Sequence, residues 1–280
     1  MTMVDSKSRL EELVKNAPES VEASVRYTLD DEEMPIVYNI EYTATTIKFE
    51  SHDVRMNNAR KSANDWNTED NGFQLIEMKS ALKDTSDTAS IKTIYHAECE
   101  EKLKELTGAR KVIVFHSALR DLGREISNEN FHAAANVHID YNQESYEYNI
   151  RQFMGAEADE LLGGRWAAYN IWKPFAPVEM SPLAVCDARS VERSDLVLCG
   201  MGTRPGEPLW EVHGVNVMYN PRHEWYYFPF MSVDEAMVIK LCDTDTSKPQ
   251  LTAHTAFDDP TTPRNPVPRV SIEARCIAFF

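Results

Sequence analysis

RWAAYNIWKPF (165–175) opens the part of the chain that decides the fold. It is a short apolar and aromatic run bounded by turn residues, and such runs read as strands. Six more follow: PLAVCDA (182–188), WEVHGVNVMYN (210–220), HEWYYFPFM (223–231), EAMVIKLCD (235–243), LTAHTAF (251–257) and RVSIEARCIAFF (269–280). Pro, Gly and Asp separate them, and many short strands so punctuated argue for a sandwich or a jelly roll. Upstream, IVYNIEYTATTIKFE (36–50), FQLIEMKS (73–80) and KVIVFHSAL (111–119) also read as strands, with a long polar loop over 51–72. Helical period takes over from Ala89 to Leu106, where Gly108 is placed to stop it, and again over 143–162 before Gly163-Gly164. The expected fold is mainly β with flanking helices around a double-stranded β-helix, a jelly-roll or cupin-like core. Residues 1–35 are polar and acidic and read as a mobile or wrapping arm, leaving 36–280 as a single domain.

The chain has 280 residues, 42% hydrophobic, enough for one large domain with its own core. A formal net charge of −16, spread along the chain, argues against nucleic acid and anionic membranes, which need clustered Lys and Arg. The N-terminus is charged from its fifth residue and has no apolar core, so no secretory signal is expected. No apolar run is long enough to span a bilayer. The five cysteines are scattered and form no C-x-x-C pair, which fits reduced thiols in a cytoplasmic protein.

Asn136-Val137-His138-Ile139-Asp140-Tyr141 carries the chemistry. On a strand, residues i and i+2 share a side, so His138 and Asp140 present an imidazole and a carboxylate to one cavity while Val137 and Ile139 face away. That is two-thirds of a 2-His-1-carboxylate triad for non-haem Fe(II). Alone, H-x-D is weak and equally describes a surface hydrogen bond. His254, in a late strand-like run, is the candidate third ligand, and His213 is its rival. Arg269 and Ser271 are again i and i+2. The planar fork of Arg269 suits the far carboxylate of 2-oxoglutarate, with the Ser271 hydroxyl beside it. H-x-D, a long gap, His and then R-x-S is more specific than any one piece.

The chain here resembles the fungal hydroxylase/desaturase family of AsaB-type and CmcJ-type tailoring proteins, related to Fe(II)/2-oxoglutarate oxygenases. The carriers are NGFQLIEM, YHAECEEKLKELTGARKVIVF, NVHIDYN, RWAAYNIWKPF with PLAVCDA, HEWYYFPFMSVDEAMVIKLCD, HTAFDDP and PRVSIEAR, over roughly residues 70 to 280. The resemblance implies that His138, Asp140 and His254 match the iron ligands and that Arg269 and Ser271 match the 2-oxoglutarate clamp. It also favours Asn170 and Trp172, which are i and i+2, turning inward to line the pocket. Val270 departs from the family's usual Glu, at a position expected to point away from the site. Implied cofactors are Fe(II), 2-oxoglutarate and O2. The implied reaction is hydroxylation, desaturation or oxidative cyclisation of a small molecule of secondary metabolism, by a monomer or homodimer.

Two other readings stand beside it. A non-haem iron oxidase of the same fold would not consume 2-oxoglutarate, and a cupin-like accessory or binding protein would turn nothing over. Among other candidates, His52 and His132 read as solvated, His96 as a helix-border residue, and His116 and His223 as strand-end residues that could approach the cavity. Arg151, Arg165, Lys173 and Lys240 are possible second anion anchors, for which surface salt bridges are the commoner explanation. No G-x-G-x-x-G, Walker, H-E-x-x-H or G-x-S-x-G motif is present.

Overall fold

The strand that contains RWAAYNIWKPF, β7 (Trp166–Pro174), is buried at all nine positions because both of its faces are covered. Trp166, Ala168 and Trp172 pack in the main core, and Ala167, Tyr169 and Ile171 in a second one. In the computed structural model all residues are described except 1, 2, 32, 39, 126, 128, 129, 131 and 132, and the side chains of 3–7 and 42. Among the described residues, no helix is long and apolar enough to cross a membrane.

Two sheets form the jelly roll. The five-stranded sheet runs β4 (Phe73–Glu77), β12 (Glu235–Asp243), β7, β14 (Val270–Phe279), β5 (Lys111–Asp121). The nine-stranded sheet runs β1 (Ser20–Thr28), β3 (Phe49–Asn58), β11 (Trp225–Tyr227), β8 (Leu183–Cys186), β13 (His254–Ala256), β6 (His138–Tyr141), β10 (His213–Val217), β9 (Leu196–Gly202), β2 (Ile36–Tyr38). Side chains from both sheets share the main core, among them Val137 and Ile139 from β6 and its approach and Ile277 and Phe279 from β14. Each such fully buried side chain contributes about 1.5–3 kcal/mol of hydrophobic stabilisation.

The helical layer covers the other face of the five-stranded sheet. A short turn, α2 (Thr88–Ser90), passes through a π turn (Ile91–Tyr95) into α3 (His96–Thr107), and Tyr95, Cys99 and Leu103 pack on β7 and β14. Asp87 caps its start, and Gly108, at φ +71°, ends it as expected. The second helical stretch is broken in two. α4 (Gln143–Met154), capped by Asn142, meets a 3-10 turn at Gly155 (φ +53°) before α5 (Ala158–Leu162). Phe153, on α4, is 55% exposed.

Three expectations change. The first is the N-terminal arm: it contains α1 (Met3–Asn16), and residues 20–28 are a strand of the nine-stranded sheet. Val21, Ala23, Val25 and Tyr27 alternate into the core, a period-2 signal hidden by the acidic residues around them. The second is the polar loop over 51–72, which begins instead with β3. Its inward positions are His52, Val54, Met56 and Asn58, so only two of four are apolar. The third is β9, a run that no sequence expectation covers, whose apolar Leu196–Cys199 start is followed by two glycines within three residues; it pairs with β10 and, in parallel, with β2.

Gly72 makes a close approach that its sequence does not announce. It sits at φ +88°, and a Cβ there would lie 2.2 Å from Thr252 Oγ1, which donates to the Lys240 and Gly72 carbonyls. Gly72→Ala is expected to destabilise the fold by about 1–3 kcal/mol, from left-handed strain and overpacking together. A lowered urea midpoint with unchanged m-value is the expected reading.

Candidate metal centre

The strand carrying His138 does not alternate regularly. Val137 and Ile139 enter the core, but Asp140 adopts φ +58°, in the left-handed region that Asp tolerates better than most residues. The pairing of β6 with β10 shifts register between Gly214 and Asn216 at the same place. His138 and Asp140 do reach one cavity, through this irregularity rather than a flat i, i+2 pleat. Backbone held in such a conformation clusters at functional sites.

His254 arrives by a single cross-strand pairing, since it stands directly opposite His138 in the antiparallel pairing of β13 with β6. The two ring centroids are 4.3 Å apart. The His254 Nε2 to Asp140 Oδ2 distance is 3.7 Å, and one ligand atom from each of His138, Asp140 and His254 falls within 4.8 Å of the others. Among the described residues no other trio of His, Cys, Asp or Glu meets that test.

Both imidazoles are held the same way. His138 Nδ1 donates to the Asn136 carbonyl at 2.8 Å, and His254 Nδ1 donates to the Thr252 carbonyl at 3.2 Å. A carbonyl only accepts, so each Nδ1 carries the proton and each Nε2 offers a lone pair, the arrangement metal-binding histidines adopt. His254 Nε2 is buried and has no hydrogen-bond partner. An unpartnered buried nitrogen beside a carboxylate is what an ion would satisfy, and a donor set of two imidazoles and one carboxylate fits Fe(II).

Asp140 accepts from Asn170 Nδ2 at 2.6 Å on Oδ2 and from Arg275 Nη2 at 2.5 Å on Oδ1. Burial alone would raise its pKa, but Arg275, His254 and His138 outweigh this and hold it well below the ordinary carboxylate range. Burial, then His254, push His138 down to about 3. Both shifts have the same sign for stability, because the unfolded chain takes up these protons at higher pH than the folded one. His138 therefore costs stability as pH falls from about 6.5 toward 3, and Asp140 from about 3.8 downward. The metal-free protein is expected to show a lower urea midpoint at pH 5 than at pH 7.5, and His138→Asn should reduce the difference.

Just before β14, Arg269 is 1% exposed. One Nη donates to the Ser181 carbonyl, while Nε and the neighbouring Ser271 Oγ are buried without partners. The guanidinium lies 5.6 Å from the Trp172 ring centroid. Burial, then Arg120, push Arg269 down to about 9, as befits a cation short of a counter-ion. Asn170 and Trp172 both face inward on β7, about 6.7 Å apart at two residues of strand rise. Asn170 thus meets Asp140 while Trp172 meets Arg269.

Arg275 and Glu273 join the site without having been expected there. The period that pairs Arg269 with Ser271 continues along β14 to both, and Arg275 Nε donates to Glu273 Oε1 at 3.2 Å. Of the other histidines, His96 bonds Ser117 and His52 stacks on Tyr219. His116 pairs across from Arg275 with an exposed side chain, and His223 bonds Tyr27 and Asp195. His213 begins β10 outside the trio, and His132 lies outside the described residues. Arg165 and Lys240 form an ion cluster with Asp243 and Glu69, and Lys173 donates to the Val233 carbonyl.

A cavity of about 190 Å³ opens beside His138 and Asp140, walled partly by Val37, Phe49, Met201 and Val215. Comparison with known proteins agrees with this architecture. A family described as "Oxidoreductase/YMDC permease-like domain" matches residues 25–279. "Hydroxylase/desaturase efuI" of Hormonema carpetanum is 30% identical over 258 residues, covering 85% of this chain and 86% of that protein. "Alpha-ketoglutarate-dependent dioxygenase phiK", from a Fungal sp., is 32% identical over 224 residues, covering 77% and 80%. A solved structure of "iron and alpha-ketoglutarate-dependent endoperoxidase NvfI with different conformation" has the same fold, with a TM-score of 0.84 and 24% identity over 94% of this chain and 99% of that one.

Proposed function

The chain belongs to the fungal hydroxylase/desaturase family of Fe(II)/2-oxoglutarate-dependent oxygenases, and from that membership we propose that it oxidises a small molecule of secondary metabolism at an iron held by His138, Asp140 and His254. It is an oxidoreductase that uses Fe(II), 2-oxoglutarate and O2. The observation that carries the ligand assignment is the pair of Nδ1-anchored imidazoles aimed at one carboxylate, with His254 Nε2 buried and unsatisfied.

Arg269 and Ser271 hold the distal carboxylate of 2-oxoglutarate, since both offer buried donors without acceptors. Trp172 backs the Arg269 guanidinium, and Asn170 fixes the iron-facing oxygen of Asp140. When bound, iron, 2-oxoglutarate and O2 would supply the redox chemistry, with O2 the oxidant: one of its atoms ends in succinate as CO2 leaves, and the other takes up hydrogen from the substrate or enters it. The chain's own residues do three things. His138 and His254 keep their Nδ1 protons on carbonyls, Arg269 neutralises the incoming carboxylate, and the apolar wall of Val37, Phe49, Met201 and Val215 keeps water from the substrate. The five cysteines, all free and buried, support a reaction in the reducing cytoplasm.

The test is direct. Anaerobic addition of 2-oxoglutarate to the Fe(II)-loaded protein should produce a visible metal-to-ligand charge-transfer band. Admission of O2 should then form succinate as 2-oxoglutarate is consumed. No band and no succinate would sink the reading.

A further inference from the structure

Asp140 is gripped at both ends of its carboxylate. Oδ2, the oxygen that faces His254 Nε2 at 3.7 Å, accepts from Asn170 at 2.6 Å. Oδ1 accepts from Arg275 Nη2 at 2.5 Å. Arg275 is itself fixed by two further partners, donating from Nη1 to the Tyr141 hydroxyl at 2.8 Å and from Nε to Glu273 at 3.2 Å. A planar fork with each of its nitrogens engaged has one placement, so Oδ1 faces a fixed positive charge.

The two grips are unequal. A neutral amide can share an oxygen with a metal ion, because carboxylate oxygens carry spare lone pairs. A guanidinium 2.5 Å from Oδ1 repels a cation approaching that oxygen, and such charge-assisted bonds are roughly twice as strong as neutral ones. The choice matters because carboxylates bind metals through one oxygen or two. Two histidines and one carboxylate oxygen leave three positions of an octahedral ion exchangeable; a two-oxygen bite leaves two. A chelating co-substrate fills two positions, so only the one-oxygen mode leaves a place for O2.

We propose that Arg275 is a positioning residue that keeps Asp140 a one-oxygen ligand and so preserves the third exchangeable position. This rests on the metal reading given above. It requires Arg275 to act on the metal only through Asp140, and it separates Arg275 from Arg269, which faces the distal end of the co-substrate.

The test uses Mn(II), which needs no exclusion of air, and counts metal-bound waters by water-proton relaxation in the full-length protein. Wild-type protein should hold three waters, falling to one with saturating 2-oxoglutarate. Arg275→Met should hold two, falling to none with saturating 2-oxoglutarate, while Mn(II) binding persists. Arg275→Lys, which keeps a cation near Oδ1, should restore three. Three waters in folded Arg275→Met, falling to one with 2-oxoglutarate, would overturn the proposal, because a purely structural arginine would change stability alone. If Arg275→Met does not fold, Arg275→Gln, which removes the charge but keeps an amide, takes its place with the same two outcomes. Failure of the metal reading is distinguishable: wild-type Mn(II) binding would then be absent, or unchanged in His138→Ala.

Discussion

His254→Ala is expected to abolish iron-dependent turnover and to weaken Fe(II) or Mn(II) binding by more than about 100-fold. The magnitude follows from comparison with outer groups, since removing a partner that merely orients a ligand costs about 10–100-fold. His254 is more than such a partner. Its Nε2 lies 3.7 Å from Asp140 Oδ2, buried and with no protein group to satisfy it. His138→Ala and Asp140→Ala should match it, because two remaining ligands no longer define a facial set. Metal titration by calorimetry reads the effect apart from catalysis. Full activity in His254→Ala would show that another residue completes the site, with His213 the first to examine.

Arg269→Met is expected to act on the co-substrate and spare the metal. Truncating one partner of a buried charge pair costs about 2–5 kcal/mol, roughly 30-fold to several thousand-fold in 2-oxoglutarate affinity. Mn(II) affinity should stay within a few-fold of wild type, since Arg269 touches Trp172 and Ser181 and makes no hydrogen bond to the triad. Stability should change with the opposite sign. Without co-substrate, Arg269 is a buried cation with Nε unsatisfied, so an apolar side chain of similar length should leave the protein as stable or more so. With co-substrate at about 100 times its Kd, wild-type protein gains about 2.7 kcal/mol by mass action, a gain Arg269→Met forfeits at the same concentration. Thermal shifts with and without 2-oxoglutarate read both halves. Equal ligand-induced shifts in the two proteins would remove Arg269 from the co-substrate site.

The sheets are most legible where the chain is apolar on both faces. β7, β12 and β14 stand out because burial on two sides keeps most of their positions apolar, and polar exceptions such as Asn170, Lys240 and Arg275 are tied to partners. β1 and β3 are hidden for the converse reason: one of their faces is solvated, and in β3 even the inward face carries His52 and Asn58. At the site, His138 and Asp140 can be paired from spacing, but the left-handed Asp140 cannot be foreseen, since φ is written in the register of β6 against β10 and not in three residues. Asn170 is expected to turn inward and line the pocket, and its bond to Asp140 is not foreseen, because strand period gives the face and not the partner. Arg275 lies in the same alternation as Arg269 and Ser271. Extending that alternation to the end of the strand finds it.

The single pairing of His254 with His138 has a further consequence for how the protein comes into being. On the proposed ligand set, His138 and Asp140 come far earlier in the chain than His254, so a nascent chain that has not yet reached β13 holds two of the three ligands. Contacts this far apart in sequence form late and slowly. On that ligand set, iron capture is expected to await the docking of β13 on β6. The same logic predicts an unfolding pathway in which detachment of β13 releases the ion while most of the five-stranded sheet still stands.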